Sequence, residues 1–262
     1  MNMTFVQIRR TGSENLITVV ELHRPEARNA FNTSMAKELL QAFQEIAKSD
    51  ARVVMLQSTN GKAFCSGADL KERNGMTETE WRDQHKLFEQ MFYAIADTPQ
   101  PVIAVVDGYA LAGGFELVLN CDFIVAANSA VFGLPEVTRG IMPGGGATRL
   151  LAKRIGLHKA KEWVCTGRMI EVAEADRAGL FNRLTTADSL GEHALELAES
   201  LARNAPLSIQ FCKQAVDALF GMDDELAREK ELKYYNRCVD TQDRVEGVLA
   251  FVEKRAPRFV GK

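Results

Sequence analysis

Two glutamates and two glycine-bearing loops supply the residue types that acid–base chemistry on a carbonyl compound needs. Glu116 lies three residues after Gly113, and Glu136 follows Phe132-Gly133-Leu134-Pro135, 20 residues further on. Their neighbours are apolar: Phe115, Leu117 and Leu119 around the first, Phe132, Leu134 and Val137 around the second. Partial burial among such residues penalises the charged carboxylate and moves its pKa toward the range useful for proton transfer. Each glutamate also has a plainer explanation, since an acid in a first helical turn is favoured by the helix dipole and a loop acid is ordinarily solvated.

The loops are Phe64-Cys65-Ser66-Gly67-Ala68-Asp69, after the apolar run Val53 to Leu56, and Ala112-Gly113-Gly114, after Val102 to Val106. A helix start has unpaired N–H donors and partial positive charge, and glycine lets a ligand oxygen reach the backbone, so both loops suit an oxyanion. The same glycines equally serve tight turns and close packing. Other chemistries fit poorly. Ser66 lacks the glycine two residues earlier that a nucleophile elbow requires, and no glycine loop ends in Lys-Ser/Thr. Gly144-Gly145-Gly146 is followed by Arg149 where a dinucleotide fingerprint needs glycine. His23, His85, His158 and His193 are isolated, so no metal is expected.

Periodicity gives the elements that position these groups. Leu16 to Leu22 and Val53 to Leu56 read as strands, with Met35, Leu39, Phe43 and Ile46 forming a helix face between them. A helix over about Thr77 to Asp97 stops at Pro99 and Pro101; Val102 to Val106 is a buried strand, and a helix starts near Ala112-Gly113-Gly114. Phe123 to Ala127 and Ala130 to Phe132 are further short strands, and from Ala147 onward the pattern is almost wholly helical, with amphipathic stretches at 191–203, 206–220 and 241–254. This is α/β alternation followed by a helical part. On the helix over Thr77 to Asp97, Trp81, Phe88, Met91 and Phe92 face either a ligand or the core.

The 262 residues carry a net charge of -3, with 46% hydrophobic and 26% charged content, which offers no field for nucleic acid or an anionic membrane. Met1 to Arg10 lacks an apolar leader and no run approaches the 18–20 apolar residues of a membrane span, so a cytoplasmic protein is expected. Cys65, Cys121, Cys165, Cys212 and Cys238 show no C-x-x-C pair and are expected to be reduced, mostly packing residues.

Six segments, in order, resemble the crotonase (enoyl-CoA hydratase/isomerase) superfamily: Arg24 to Ala30, Lys62 to Arg73, Asp107 to Leu117, Gly133 to Glu136, Pro143 to Gly146, and Glu246-Gly247 with Phe251 to Arg255. The resemblance implies an α/β crotonase-like spiral core of repeated ββα units over 1–200 and a helical C-terminal trimerisation region over 201–262. It implies an enoyl-CoA hydratase, a carbon–oxygen lyase, in which the Ser66 and Gly113 N–H groups form the oxyanion hole. Glu136 would protonate Cα and Glu116 would activate the water attacking Cβ. Arg28, Ala30, Ser66, Gly67, Ala68, Asp69, Leu70 and Gly113 would hold the acyl-CoA thioester, with Phe251 and Lys254 reaching it from a neighbouring subunit of a homotrimer or dimer of trimers. CoA would enter as part of the substrate, with no separate cofactor, in fatty acid metabolism or branched-chain amino acid degradation. Isomerase and carnitinyl-CoA-type dehydratase remain alternatives. Cys65 to Arg73 and Thr241 to Gly261 resemble methylglutaconyl-CoA hydratase, whose animal form also binds AU-rich RNA. The matching helix here, Met35 to Arg52, offsets Lys37, Lys48 and Arg52 with Glu38, Glu45 and Asp50, so no nucleic acid is expected.

Overall fold

Between residues 53 and 133 short apolar runs form strands in pairs, and the two strands of a pair enter different sheets. The computed structural model describes residues 3–59 and 62–262; Met1 and Asn2, part of the stretch tested for a leader, lie outside them. Val6–Thr11 (β1) and Ile17–Leu22 (β2) pair antiparallel, and Thr33–Ile46 (α1) follows, capped by the Asn32 side chain, which accepts from Met35 N–H at 2.9 Å. The repeat then begins. Val53–Ser58 (β3) and Ala63–Cys65 (β4) lead to Leu70–Arg73 (α2) and Glu78–Ala96 (α3). Val102–Val106 (β5) and Tyr109–Leu111 (β6) lead to Gly113–Leu119 (α4). Phe123–Ala127 (β7) and Val131–Gly133 (β8) lead to a 3-10 turn at Pro135–Arg139, then Ala147–Ile155 (α5) and Leu157–Thr166 (α6).

The chain closes with Met169–Glu171 (β9), Val172–Arg177 (α7), Arg183–Thr185 (β10), Leu190–Ala202 (α8), Pro206–Leu219 (α9), Asp224–Val239 (α10) and Gln242–Glu253 (α11). The long strands build a six-stranded sheet, β1-β2-β3-β5-β7-β10, and the short ones a four-stranded sheet, β4-β6-β8-β9. Each ββα unit therefore advances one position in both sheets, which is the expected spiral core. β9 and β10 correct the wholly helical reading beyond Ala147: each is three residues long, too short to show alternation, and takes its conformation from pairing with β8 or β7.

The α1 face predicted from spacing, Met35, Leu39, Phe43 and Ile46, is buried against the core. α8 covers the other side of the large sheet with Ala194, Ala198 and Ala202. Lys213 ties α9 to the core: its Nζ meets Asp122 Oδ2 at 2.7 Å and donates to the Thr98 carbonyl at 2.7 Å. Of the cysteines, Cys65 and Cys121 pack in the interior, whereas Cys165 and Cys212 are exposed and Cys238 is half-buried, so packing describes fewer of them than expected.

The end of β4 touches the start of α4. A Cβ on Gly114 would fall inside the Cys65 carbonyl group, so only glycine permits the approach. Gly114→Ala should force the loops apart and cost about 3 kcal/mol, the upper end for overpacking, read as a lowered midpoint in urea unfolding.

Candidate active site

The α4 start is set by Ala112, whose φ of 51° and ψ of -129° lie outside the ordinary regions for a side-chain-bearing residue. The Ala112 N–H donates to the Gly133 carbonyl at 2.8 Å, fixing this turn against β8. Gly113 N–H, next in the chain, has no acceptor among the described residues. Gly67 lies against it: a Cβ there would stand 2.8 Å from Ala112 Cβ and 3.2 Å from Gly113 N. The two glycine loops, 46 residues apart in sequence at these positions, are thus one surface.

The expectation of two free donors holds for Gly113 and not for Ser66, whose N–H donates to the Arg28 carbonyl at 3.2 Å. Consecutive left-handed residues, Arg28 (φ 52°) and Asn29 (φ 53°), turn that carbonyl toward Ser66. Buried Asn29 holds the turn in place, its Nδ2 donating to the Ala63 and Phe64 carbonyls at 3.1 Å each and its Oδ1 accepting from Arg24 N–H at 2.8 Å. No sequence spacing announces this contact, because the two segments meet only through the fold.

Both glutamates are buried, Glu116 at 3% and Glu136 at 7% exposure, so the solvated reading of the latter is set aside. They reach the same cavity by different elements: Glu116 from the first turn of α4, Glu136 from the 3-10 turn after β8. Glu116 Oε1 accepts from Gly145 N–H at 2.7 Å and Ala147 N–H at 3.1 Å. Asn120 holds that glycine turn to α4, its Nδ2 donating to the Glu116 and Gly145 carbonyls at 2.8 Å each. Desolvation raises the Glu116 pKa, and the backbone donors of Ala147, Gly145 and Gly144 pull it back. Glu136 Oε2 has no hydrogen-bond partner among the described residues. Its carboxyl is pushed up to about 7, first by burial and also by the charge of Glu116.

The cavity holds about 880 Å³ and is lined by Ser66, Ala68, Leu70, Gly113, Glu116 and Glu136 from the predicted set. Trp81, Phe88 and Phe92 form an aromatic wall, while Met91 is fully buried behind it. Arg28, Ala30, Gly67 and Asp69 do not line it. Asp69 instead caps α2, accepting from Lys71 N–H at 2.9 Å, and pairs with Arg24 Nη1 at 2.7 Å. Phe251 and Lys254 stand at the end of α11 and also lie outside the lining, Phe251 being 85% exposed. Sequence reasoning missed Arg73, His85 and Arg139 in the wall and the donors on Glu116. The Gly144 to Gly146 run, an incomplete nucleotide motif and a segment of the family resemblance, is the available signal for those donors.

Two buried carboxyls in different hydrogen-bonding environments, beside a free backbone donor in a largely apolar cavity, are suited to moving protons on a carbonyl substrate. Comparison with known proteins gives the class: residues 12–262 match the model of the enoyl-CoA hydratase/isomerase family, and the chain belongs to that family. Among its relatives is a probable mitochondrial enoyl-CoA hydratase 2 of Arabidopsis thaliana, 41% identical over 98% of this chain and 86% of the relative. Another is the putative enoyl-CoA hydratase/isomerase YngF of Bacillus subtilis, 40% identical over 94% of this chain and 95% of the relative. A crystal structure of enoyl-CoA hydratase from Bacillus anthracis superimposes with a TM-score of 0.95 at 36% identity, covering 99% of this chain and 100% of that one. No helix among the described residues is long and apolar enough to cross a membrane.

A raised carboxyl pKa is also a stability statement. Glu136 binds its proton more tightly folded than unfolded, so its contribution is fully present below pH 4.5 and lost as pH rises through about 7. Glu136→Gln should therefore melt higher than the native protein at pH 8, by about 1–3 kcal/mol, with the difference fading by pH 4.5; thermal melts across this range read it.

Proposed function

We propose that this chain adds water across the 2,3-double bond of a 2-enoyl-CoA thioester. The observation that supports it most is the unequal environment of the two buried glutamates. Glu116, with two backbone donors on one oxygen, takes the role of base; Glu136, with an oxygen that has no partner among the described residues and a pKa pushed up to about 7, is the acid.

In the reaction the thioester oxygen lies on Gly113 N–H, and Ser66 N–H turns to it from the Arg28 carbonyl. Water bonds to Cβ through its oxygen and gives a proton to Glu116. The double-bond electrons pass to the thioester, forming an enolate held by the two donors. When the carbonyl reforms, Cα takes the Glu136 proton. A proton then passes from Glu116 to Glu136, restoring both acids, and the 3-hydroxyacyl-CoA leaves. One such preorganised donor is worth about 2.7–4 kcal/mol of barrier.

The reading extends to the rest of the expected machinery: CoA as part of the substrate and no other cofactor, a homotrimer or dimer of trimers in which Phe251 and Lys254 approach a neighbour's CoA, and a cytoplasmic location. Loss of the enoyl-thioester absorbance with crotonyl-CoA and 3-methylglutaconyl-CoA tests the chemistry. Glu116→Gln and Glu136→Gln should each lower kcat by ~10²–10⁴. Native kcat/KM should fall as pH rises through about 7, where Glu136 loses its proton. Full activity in either variant would overturn the two-glutamate mechanism, and turnover of 3-enoyl thioesters alone would move the assignment to an isomerase.

A further inference from the structure

α4 is buried and apolar throughout except at Glu116, and it ends on a second buried polar residue, Asn120, 6% exposed. Asn120 does not line the cavity that holds the glutamates; it lines a separate one behind it, walled by the ends of α3 and α4, by α5 and by α9. A leucine would pack there without the cost of burying an amide. The amide nitrogen is instead fully engaged, giving one hydrogen to the Glu116 carbonyl and the other to the Gly145 carbonyl, both at 2.8 Å. The helix can spare the first bond, because the Asn120 backbone N–H already donates to the same Glu116 carbonyl at 3.0 Å. The second spans 25 residues and joins α4 to the turn that leads into α5.

We propose that Asn120 is a positioning residue for the base: by gripping the Gly145 carbonyl it keeps the Gly145 and Ala147 N–H groups on Glu116 Oε1. This inference rests on the hydration reading of the same site. The gripped carbonyl belongs to the peptide unit between the two donating ones, and the glycines on either side of it, Gly145 and Gly146, leave that unit the most freedom to rotate. The Phe92 ring fills the place of a Cβ on Gly145 and limits its translation, but a hydrogen bond to the carbonyl is what fixes its rotation. Without the grip both donors loosen, the offset to burial is lost, and Glu116 holds a proton more tightly. A base works ionised, so the fall in kcat on acidification moves to higher pH. The other titratable side chains lining the glutamate cavity are Arg73 from α2, His85 from α3, and Glu136 and Arg139 from the 3-10 turn, and none is hydrogen-bonded to Asn120 or Gly145. Against the start of α4, burial pushes the Cys65 thiol up to about 12, and behind its end Arg154 donates to the Cys121 carbonyl while Lys213 pairs with Asp122.

Two variants separate this role from a merely structural one. Asn120→Leu removes both side-chain bonds at similar volume. Asn120→Ser keeps a bond to Glu116, since a helical serine hydroxyl reaches the carbonyl four residues back, and loses the one to Gly145. Both should lower kcat below neutrality by up to ~10²-fold, with KM unchanged and the ratio to the native protein closing as pH rises. In both, the Glu116 carboxyl, followed by carbon NMR of labelled glutamate and assigned with Glu116→Gln, should titrate at higher pH than in the native protein. A loss of kcat that is the same at every pH overturns the proposal, as does an Asn120→Ser protein with the native profile and the native titration. The serine variant decides the matter even if Asn120→Leu does not fold. The titration needs no turnover, so a raised Glu116 titration in a protein that hydrates neither thioester would support the grip and fault the hydratase reading alone.

Discussion

The contact of Gly114 with the Cys65 carbonyl is the constraint on which the site depends. It joins a strand end of the small sheet to the first turn of α4, and so brings Ser66 and Gly67 against Gly113 while aiming Glu116 into the same cavity. Each ββα unit ends one strand in each sheet, and the cavity opens where successive units finish. Loops that belong to separate units in sequence thereby become neighbours without a long connection. The tightness is general here: a Cβ on Gly144 would stand 2.6 Å from His85 Cε1, and one on Gly145 would enter the Phe92 ring. Backbone packed this closely is rigid, which oriented N–H donors require.

Electrostatics divides two chemically identical side chains. Both glutamates suffer desolvation, but the turn from Gly144 to Ala147 returns hydrogen bonds to Glu116 and none to Glu136 Oε2. Asn120, a residue with no part in the chemistry, sets that difference by holding the Gly145 carbonyl to α4. The charge on Glu116 then raises Glu136 further, so the two environments reinforce each other.

Much of this was legible in the sequence. The α1 spacing, the β5 run and the proline pair after α3 specify their elements locally, because apolar periodicity and a helix stop act over a few residues. Glu116, Glu136 and Gly113, which line one cavity, stand out in the sequence because their neighbours advertise burial or a helix start. β9 and β10 were not, being three-residue strands that exist only by pairing. Arg73 was hidden for a related reason: in a lysine- and glutamate-flanked segment it reads as surface, and only the fold stacks it on Trp81, eight residues on. The Arg28 grip on Ser66 likewise needs two consecutive left-handed residues, a conformation asparagine favours and arginine does not.

That grip changes how the Ser66 N–H discriminates among oxygens. In the resting protein it already holds a peptide carbonyl at 3.2 Å, so any newcomer must compete with an amide acceptor. A neutral thioester oxygen is a poorer acceptor than an amide, whereas an enolate oxygen, carrying charge, is a much better one. The exchange is therefore close to neutral or uphill on binding and downhill as charge develops. In the hydration proposed above, a loop that looks like an obstruction would make the donor's affinity rise along the reaction coordinate, which is the condition for a hydrogen bond to speed a reaction rather than merely tighten a complex.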